Sequence, residues 1–264
     1  MQKAYLLYSE EDAVKNHLFI DQLQREGRTY DVDLQLIIDS PSLRANDYVD
    51  GLFFWNRTRH TSLSRQLEGH IRVINRSTVN EIANDKRKAL QFTTLLGIPA
   101  VPEIPFKRLS EADLPVVVKS IDGHGGLDVQ KCHTLEEVQR YLKKVPMSLI
   151  EPYIETNATD VRVWMIGDEV IGAVKRIGAA HDFRSNYTLG GSIEKFSLTV
   201  QQIAMLKKIQ RALKSDYIGI DFLHINDEDL LFNEMEDPVG ARSFYDLYDA
   251  TLPQQLWQHI MKDI

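Results

Sequence analysis

The sequence has almost no cysteine, no excess of positive charge and no long apolar run. Cys132 is the only cysteine among 264 residues, which excludes an intrachain disulfide and a cysteine-rich zinc site. The 38 acidic residues outnumber the 31 basic ones, and the formal charge of −7 argues against a general nucleic-acid binder, although it leaves room for a local basic pocket. No apolar run approaches transmembrane length, and the first residues turn acidic too soon for a signal peptide. The composition therefore predicts a soluble, cytoplasmic protein that binds neither nucleic acid nor membrane.

Several catalytic motifs are missing as well. No GxGxxG sequence follows the first strand pattern, so a dinucleotide site is not indicated. The glycine-rich segment later in the chain is not followed by GK[ST], so it is not a P-loop. The eight histidines show no HExxH or similar spacing, and there is no Ser/His/Asp or Cys/His constellation. Chemistry at a protein nucleophile is therefore not indicated.

What the sequence does contain is enough apolar residues, 43%, for a sizeable core. Its length allows one large domain or two to three small ones that share a cleft. Residues 1–76 alternate strand and helix patterns with short connections, which predicts a small parallel sheet. The predicted strands are 4–8, 32–38, 51–55 and 71–74, with a helix at 62–67.

Residues 216–242 hold the most informative pattern. Two apolar strand patterns, 217–223 and 230–235, are joined by the polar turn 226–229. Acidic residues lie inside both strands as well as in the turn. The stretch therefore predicts an antiparallel hairpin with carboxylates along it.

Three of those carboxylates are expected to meet. Antiparallel pairing places Asp221 roughly opposite Glu234, and strand alternation places Phe232, Glu234 and Glu236 on one face. Like charges repel unless a cation lies between them, and hard oxygen ligands suit Mg²⁺ that holds nucleotide phosphates. A solvated acidic edge is the alternative, and this stretch alone does not decide between the two.

Residues 79–96 predict one helix that ends at Gly97. Lys86 lies at helical spacing from Ile82 and Leu90, so its ammonium rises from the apolar face. A snorkelling lysine at the edge of an apolar stripe is the common explanation for such a residue. A lysine with a function in binding is the alternative.

The strand pattern 114–120 carries Lys119 near its end and leads into the glycine-rich segment 121–126. Glycines allow backbone N–H groups to approach phosphates, and a nearby lysine neutralises phosphate charge. Glycines between strands more often form a tight turn, so this signal is weak when taken alone.

The rest of the chain up to the acidic hairpin predicts alternating helices and strands. Capping boxes at Thr134 and Thr199 open two helices. The dipeptide Gly167-Asp168 predicts a hairpin turn. The predicted elements are a helix to about 144, a strand at 148–154, the hairpin strands 160–166 and 169–176, a loop at 178–192 and a helix from Thr199 to about 213.

The order of these motifs is more specific than any one of them. The chain contains, in order, Asp85-Lys86, VVVKSIDGHGG, IEPYI, DVRVWMIGDEVIGAVKR, DFRSNYTLGGS and IGIDF…FNEME. This order resembles the ATP-grasp superfamily and is most similar to its RimK-type amino-acid ligases, with the D-alanine–D-alanine ligases as more distant relatives. The resemblance covers about residues 75–242.

The resemblance implies a fold of mixed α/β and α+β class. An ATP-grasp fold of this kind has an N-terminal small parallel α/β layer and two α+β subdomains that clamp the nucleotide. The resemblance also implies an enzyme that is an ATP-dependent carboxylate–amine ligase. Such an enzyme forms an acyl phosphate that an amine attacks, and it releases ADP and phosphate. ATP is the implied cofactor together with Mg²⁺, or Mn²⁺ in its place.

The resemblance assigns nucleotide contacts by position. Lys86 and Lys119 resemble the two lysines that contact the ATP phosphates, and Asp160 resembles the carboxylate that binds the ribose hydroxyls. Four consecutive residues resemble the loop that closes over the phosphates: Gly123, His124, Gly125 and Gly126. Three residues resemble the hinge that contacts adenine: Glu151, Tyr153 and Ile154.

The resemblance also assigns metal and catalytic residues. Asp221 and Glu234 match two metal ligands, with Glu236 at the third position. Residues that contact the γ-phosphate, the acyl phosphate or the acceptor are implied at Arg176, Arg184 and Asn186.

One departure from the family pattern lies in the acidic hairpin. Relatives usually have asparagine at the third metal position, followed by a Pro-Gly turn, whereas this chain has Glu236 and then Asp237-Pro-Val-Gly240. Glutamate still offers oxygen to Mg²⁺. The departure raises the alternative of a non-catalytic ATP-binding regulatory or scaffold protein, and a kinase on the same fold is a further alternative.

The sequence indicates the substrates less directly than it indicates the nucleotide site. Small-molecule carboxylate and amine substrates, or a peptide or protein carboxylate, fit a cleft with several arginines: Arg162, Arg176, Arg184 and Arg242. Arg57 and Arg59 are candidates for the N-terminal wall of the acceptor site or, equally, surface arginines at a strand end. A homo-oligomer is compatible with the sequence. We expect three domains, an N-terminal Rossmann-like layer at 1–76, a central subdomain at 77–152 and a C-terminal subdomain at 153–264.

Overall fold

The N-terminal layer is a parallel four-stranded sheet with strand order β2-β1-β3-β4, as predicted. The structure, a computed structural model, describes residues 1–123, 128–178, 191–248, 251–262 and 264. Parallel neighbours need crossover connections, and helices supply them here. The elements of this layer are β1 (Gln2–Tyr8), α1 (Glu10–Lys15), α2 (His17–Thr29), β2 (Val32–Ile38), β3 (Phe53–Asn56), α3 (Ser62–Leu67) and β4 (Arg72–Ile74).

Two helices, α4 (Ser77–Ala83) and α5 (Lys86–Leu95), stand where the sequence predicted one. The single helix was wrong because the chain leaves helical geometry at Asp85, whose φ is −126° and ψ is 104°. The Asp85 carboxylate accepts a hydrogen bond from the Lys88 N–H at 3.0 Å and caps a new helix. The break places Lys86 in the first turn of α5.

The central sheet is antiparallel, with strand order β6-β5-β7. Its elements are β5 (Val116–Ser120), β6 (Val129–Cys132), α6 (Leu135–Lys144) and β7 (Ser148–Pro152). Thr134 opens α6 with the predicted capping box, and Val138 packs with Val116 and Val118 on one face of the sheet. Lys119 alternates with Val118 along the strand and therefore lies on the opposite face.

The third sheet is antiparallel and has the order β10-β9-β8-β11-β12. Its elements are β8 (Thr159–Ile166), β9 (Glu169–Ile177), β10 (Ser192–Lys195), α7 (Val200–Leu213), β11 (Tyr217–His224) and β12 (Leu230–Glu236). The predicted turn between β8 and β9 is present, and Gly167 there adopts a φ of 51°, which favours glycine. One face of the sheet packs against α7, α4 and α5.

The other face of the third sheet divides into two halves. Trp164, Val174 and Tyr217 are buried in one core with Leu6 and Trp55 of the N-terminal layer. The remaining half carries the charged residues of β8, β9, β11 and β12, so the sheet positions a polar site beside an apolar interface.

The C-terminal helices α8 (Arg242–Tyr245) and α9 (Leu252–Lys262) lie beyond the elements that the sequence predicted. Trp257 packs on α2, where a Cβ added to Gly27 would lie 2.6 Å from its ring. Its indole N–H donates to the Leu23 carbonyl at 2.9 Å. The end of the chain is therefore fixed to the N-terminal layer.

The three sheets use strands within residues 2–74, 116–152 and 159–236, whereas α4 and α5 pack with the third sheet. The division at 76/77 and 152/153 stays a prediction. Within the described residues, no helix is both long enough and apolar enough to cross a membrane.

Candidate active site

The acidic hairpin forms as predicted, with Asp221 of β11 directly opposite Glu234 of β12. Carboxylate oxygens of Asp221, Glu234 and Glu236 all lie within 4.8 Å of one another. Asp221 is buried and the two glutamates are partly buried, so the group is not a solvated edge. Three convergent carboxylates at this spacing can hold a divalent cation.

Phe232 does not share the acidic face, which corrects the sequence prediction. The register shifts between Asp221 and Phe222, so that Phe222 pairs with Phe232 while Asp221 pairs with Glu234. The extra residue on β12 is Asn233, a β-bulge that reverses the alternation. Phe232 therefore packs in the core against the edge of Phe222, with ring centroids 6.2 Å apart.

Two arginines from neighbouring strands neutralise Asp221. Arg162 donates from Nε and Nη2 to its two carboxylate oxygens at 2.7 and 2.6 Å, and from Nη2 to Glu236 at 2.6 Å. Arg176 donates to Asp221 at 2.8 Å and from Nε to Asp160 at 2.6 Å. The sequence predicts Arg162 only as one of several arginines in a substrate cleft. The structure adds it to the acidic cluster.

The two central carboxyl groups differ in acidity. Burial alone would raise the pKa of Asp221, but the charges and hydrogen bonds of Arg162 and Arg176 lower this pKa to about 2. Burial and the negative charges of Asp221 and Glu234 raise the pKa of Glu236 above its ordinary value, against the opposing charge of Arg162. Asp221 is therefore ionised at neutral pH.

Lys86 and Lys119 approach the hairpin from α5 and the central sheet. Lys86 Nζ donates to the Gly123 carbonyl and lies 3.2 Å from Glu234. Lys119 Nζ lies 2.8 Å from Glu151 and donates to Asn233 Oδ1 at 2.9 Å. Lys119 therefore joins the central sheet to β12, and Lys86 joins the start of the glycine-rich segment to β12. Neither is a snorkelling surface lysine, because their side chains are 11% and 6% exposed.

Asn233 was missed in the sequence because strict alternation would direct it away from the acidic face. The bulge turns its amide toward Lys119. An isolated polar residue in a strand pattern carries no signal for a bulge, so only the three-dimensional pairing could find it.

The hinge residues lie at the end of β7 and just beyond it. Glu151 is buried, and burial raises its pKa against the charge and the hydrogen bond of Lys119. The Tyr153 N–H donates to the Pro115 carbonyl at 3.1 Å, and Lys131 Nζ lies 3.3 Å from the centre of the Tyr153 ring. Ile154 is half-buried beside them. Their contact with adenine stays a prediction, as does that of Asp160 with ribose.

Five predicted site residues lie outside the described part of the chain: His124, Gly125, Gly126, Arg184 and Asn186. Of the other candidates, Arg59 and Arg242 are exposed. Arg57 is 3% exposed, so it is not a surface arginine. It donates from Nη2 to the Val239 carbonyl at 2.9 Å instead of lining an open wall.

Comparisons with known proteins extend over nearly the whole chain. The uncharacterised protein MG011 of Mycoplasma genitalium is 24% identical over 254 residues, covering 93% of this chain and 88% of that protein. A probable alpha-L-glutamate ligase of Histophilus somni is 28% identical over 196 residues, and the match spans 68% of this chain and 64% of that ligase.

The fold is that of solved ATP-grasp enzymes. A crystal structure of the D-alanine–D-alanine ligase of Bacillus anthracis complexed with ATP superposes with a TM-score of 0.72 at 17% identity, covering 99% of this chain and 97% of that one. The model of the RimK-like ATP-grasp domain matches residues 102–260, which contain Lys119 and the acidic hairpin but not Lys86. More than half of the chain matches this family's own pattern, and the protein belongs to the RimK-like ATP-grasp family.

Proposed function

We propose that this protein is an ATP- and Mg²⁺-dependent carboxylate–amine ligase that forms an amide bond through an acyl phosphate and releases ADP and phosphate. The observation that carries the proposal is the convergence of Asp221, Glu234 and Glu236 within 4.8 Å, with Lys86 and Lys119 beside them. Members of the family use ATP with a divalent metal, and the specific ion is part of the proposal.

The residues present fit a bound divalent cation. Carboxylate oxygens are the ligands that Mg²⁺ prefers, and a bound Mg²⁺ neutralises the charge of nucleotide phosphates. In the described part of the site the carboxylates outnumber the cations, so the site does not attract a free triphosphate by its own charge. The carboxylates are Glu151, Asp160, Asp221, Glu234 and Glu236, and the cations are Lys86, Lys119, Arg162 and Arg176.

Activation through phosphate suits the side chains of this site. Phosphoryl transfer needs positioning and charge neutralisation more than a protein nucleophile. Cys132, the only cysteine, is fully buried in the core between the central sheet and α6, so a thioester on the protein is excluded. An acid activated as an acyl phosphate requires no such residue.

The remaining assignments are part of the same proposal. Lys86, Lys119 and the loop from Gly123 to Gly126 contact the phosphates, Glu151 to Ile154 the adenine, and Asp160 the ribose. Arg176, with Arg184 and Asn186, contacts the transferred phosphoryl group or the acceptor. The three-part domain division belongs to the proposal too. A cytoplasmic location and a homo-oligomer stay predictions.

The names of the relatives support the substrate class. Alpha-L-glutamate ligases and D-alanine–D-alanine ligases both join a carboxylate to an amine by name. We therefore propose an amino-acid or peptide carboxylate as the acid and an amino acid as the amine.

The test is Mg²⁺-dependent ADP release with a panel of amino acids and glutamate-containing peptides. We expect at least one acid–amine pair to stimulate ADP release, and Lys119→Ala to abolish that stimulation. With ATP, Mg²⁺ and the acid but no amine, added hydroxylamine should displace phosphate from the acyl phosphate and yield a hydroxamate. ATP binding without stimulation by any pair would contradict the proposal, and phosphate transfer to an alcohol would identify a kinase instead.

A further inference from the structure

The turn that follows Glu236, residues 237–240, is held by side chains from other parts of the chain. Asn80 and Asn84 of the α4 region both donate from Nδ2 to the Asp237 carbonyl, the first at 3.1 Å. Arg57, which follows β3, donates from Nη2 to the Val239 carbonyl at 2.9 Å. We call residues 237–240 the post-ligand turn, because they directly follow the last carboxylate of the acidic cluster.

The post-ligand turn also folds back over β11. Gly219 pairs with Glu236, and a Cβ added to Gly219 would lie 2.3 Å from Val239 Cγ2. The Val239 side chain therefore occupies the space above Gly219. Trp164 donates its indole N–H to the Gly240 carbonyl at 2.9 Å. Because β12 ends at Glu236, these contacts replace the strand ladder in fixing the backbone beyond it.

Arg57 is buried, and its hydrogen bonds are incomplete. Within the described residues its Nη1 has no hydrogen-bond partner. Its Nε donates to the Tyr8 hydroxyl at 3.1 Å, and four aromatic rings lie 5.6 to 5.7 Å from it. Burial alone would lower the pKa of Arg57, but Tyr8, Tyr217 and the negative charge of Asp237 raise it, so the guanidinium stays charged in this core. A charged group buried with one nitrogen unsatisfied is more than packing requires.

The polar groups beside Arg57 are also incompletely hydrogen-bonded. Asn80 donates to the Asp237 carboxylate and to the Thr58 carbonyl at 3.1 and 3.0 Å, but its Oδ1 has no partner in the described structure. Asp237 is 1% exposed, and Asn80 donates only to its Oδ2. Buried polar groups that are incompletely satisfied call for an explanation other than stability.

We propose that Arg57 is a positioning residue for metal binding. Together with Asn80 and Asn84 it fixes the post-ligand turn, and the fixed turn holds the Glu236 carboxylate toward Asp221 and Glu234. Through Arg57 the N-terminal layer thereby sets the metal affinity of the third sheet, although Arg57 would not itself be a metal ligand. This inference rests on the proposed function, since it requires the acidic cluster to bind a divalent cation.

The test measures Mn²⁺ binding by electron paramagnetic resonance and the free energy of unfolding by urea, in the full chain. The variants are Arg57→Met, which keeps the length but removes the donor, and Arg57→Lys, which keeps one charged donor. The control is Arg25→Met, an exposed arginine whose Nε donates only to a carbonyl of its own helix in the described structure. Asp221→Asn identifies the signal that belongs to the acidic cluster.

We expect Arg57→Met to weaken Mn²⁺ binding by about tenfold, as losses in the outer shell of a metal site do. The urea curve should show that Arg57→Met is folded under the binding conditions, so that the weaker Mn²⁺ binding is not a loss of the folded state. Arg57→Lys should recover part of the affinity, and Arg25→Met should match the wild type. In ADP release, the Mg²⁺ concentration for half-maximal activity should rise more than the maximal rate falls.

Equal Mn²⁺ affinity in the wild type and in Arg57→Met would overturn the positioning role alone. Absence of Mn²⁺ binding by the wild type would overturn the proposed function as well. If Arg57→Met does not fold, Asn84→Ala decides the matter, since Asn84 is only partly buried. Weaker Mn²⁺ binding by Asn84→Ala supports the inference, and unchanged binding contradicts it.

Discussion

Asp221 lies between two guanidinium groups at the centre of the acidic cluster. This position explains both its low pKa and its expected contribution to the stability of the fold. Arg162 and Arg176 together make three hydrogen bonds to its carboxylate, which is 1% exposed. A single partner removed from a buried ionic group leaves the remaining charges uncompensated.

Asp221→Asn should therefore destabilise the metal-free protein by about 3 kcal/mol, because two buried arginines lose a shared counter-ion. Urea unfolding without metal measures this. The control is Asp168→Asn in the exposed β8–β9 turn, which should be close to neutral. Equal stability of the two variants would show that the ionic cluster contributes nothing to folding.

Asp237 gives a prediction for pH. Burial raises its pKa from 3.8 to about 6, although the hydrogen bond from Asn75, the charge of Arg57 and the hydrogen bond from Asn80 act to lower it. Between those two values the folded state holds more protons than the unfolded state, so this group makes stability fall as the pH rises. Above pH 6 the loss is complete, and at 1.36 kcal/mol for each unit it amounts to about 3 kcal/mol.

Asp237→Asn removes this dependence, since an amide does not ionise. Relative to the wild type, the variant should gain stability steadily from pH 4 to pH 6 and keep the gain at pH 7. Urea unfolding of the metal-free proteins at these pH values measures the difference. Parallel pH profiles for the two proteins would contradict a buried, perturbed Asp237.

Among the elements, the sequence predicted most helices and strands because each has a local signal. Thr134 and Thr199 form the capping boxes that their sequences indicated, and Gly167 forms the turn of a hairpin. Two local features were not predicted from the sequence. The bulge at Asn233 reverses a strand face without any sequence signal, and the break before Lys86 depends on Asp85 acting as a cap within an otherwise periodic helix.

The break between α4 and α5 predicts that Asp85 contributes to ATP binding as well as to stability. Asp85→Ala removes the cap of α5 and should cost about 1 kcal/mol of stability. It should also weaken ATP binding, because Lys86 is the first residue of the helix so capped. Thr134→Ala is the matched control, since it removes the cap of α6 at a similar cost. Calorimetric titration with ATP measures the affinity of each variant, and urea unfolding measures its stability. Equal losses of ATP affinity in the two variants would contradict the specific role of the break.

For the molecule as a whole, the order of the motifs predicted the fold and the family. It did not predict how distant segments pack against one another. An amphipathic helix shows which face is buried but not which layer covers it, so the docking of α9 on α2 had no signal. The same holds for Arg57, whose partner Val239 lies 182 residues away.

The docking of α9 on α2 predicts a sharp response at Gly27. Gly27→Ala would place a Cβ 2.6 Å from the Trp257 ring, and such overpacking costs roughly 1–3 kcal/mol despite the better helix propensity of alanine. Gly69→Ala is the control, because nothing lies within 4 Å of the added atom. Urea unfolding compares them. A Gly27→Ala variant as stable as the control would contradict the docking of the C-terminal helix.

The proposed ligase chemistry is tested most directly by following one oxygen atom. Each acid of the substrate panel is labelled with ¹⁸O in its carboxylate and incubated with the enzyme, ATP, Mg²⁺ and the amine. If the carboxylate attacks the γ-phosphorus and the amine then displaces phosphate from the acyl carbon, the released inorganic phosphate carries one ¹⁸O for each amide formed. We expect that label in the phosphate. ADP release that leaves the phosphate unlabelled would show that no acyl phosphate forms and would contradict the assignment.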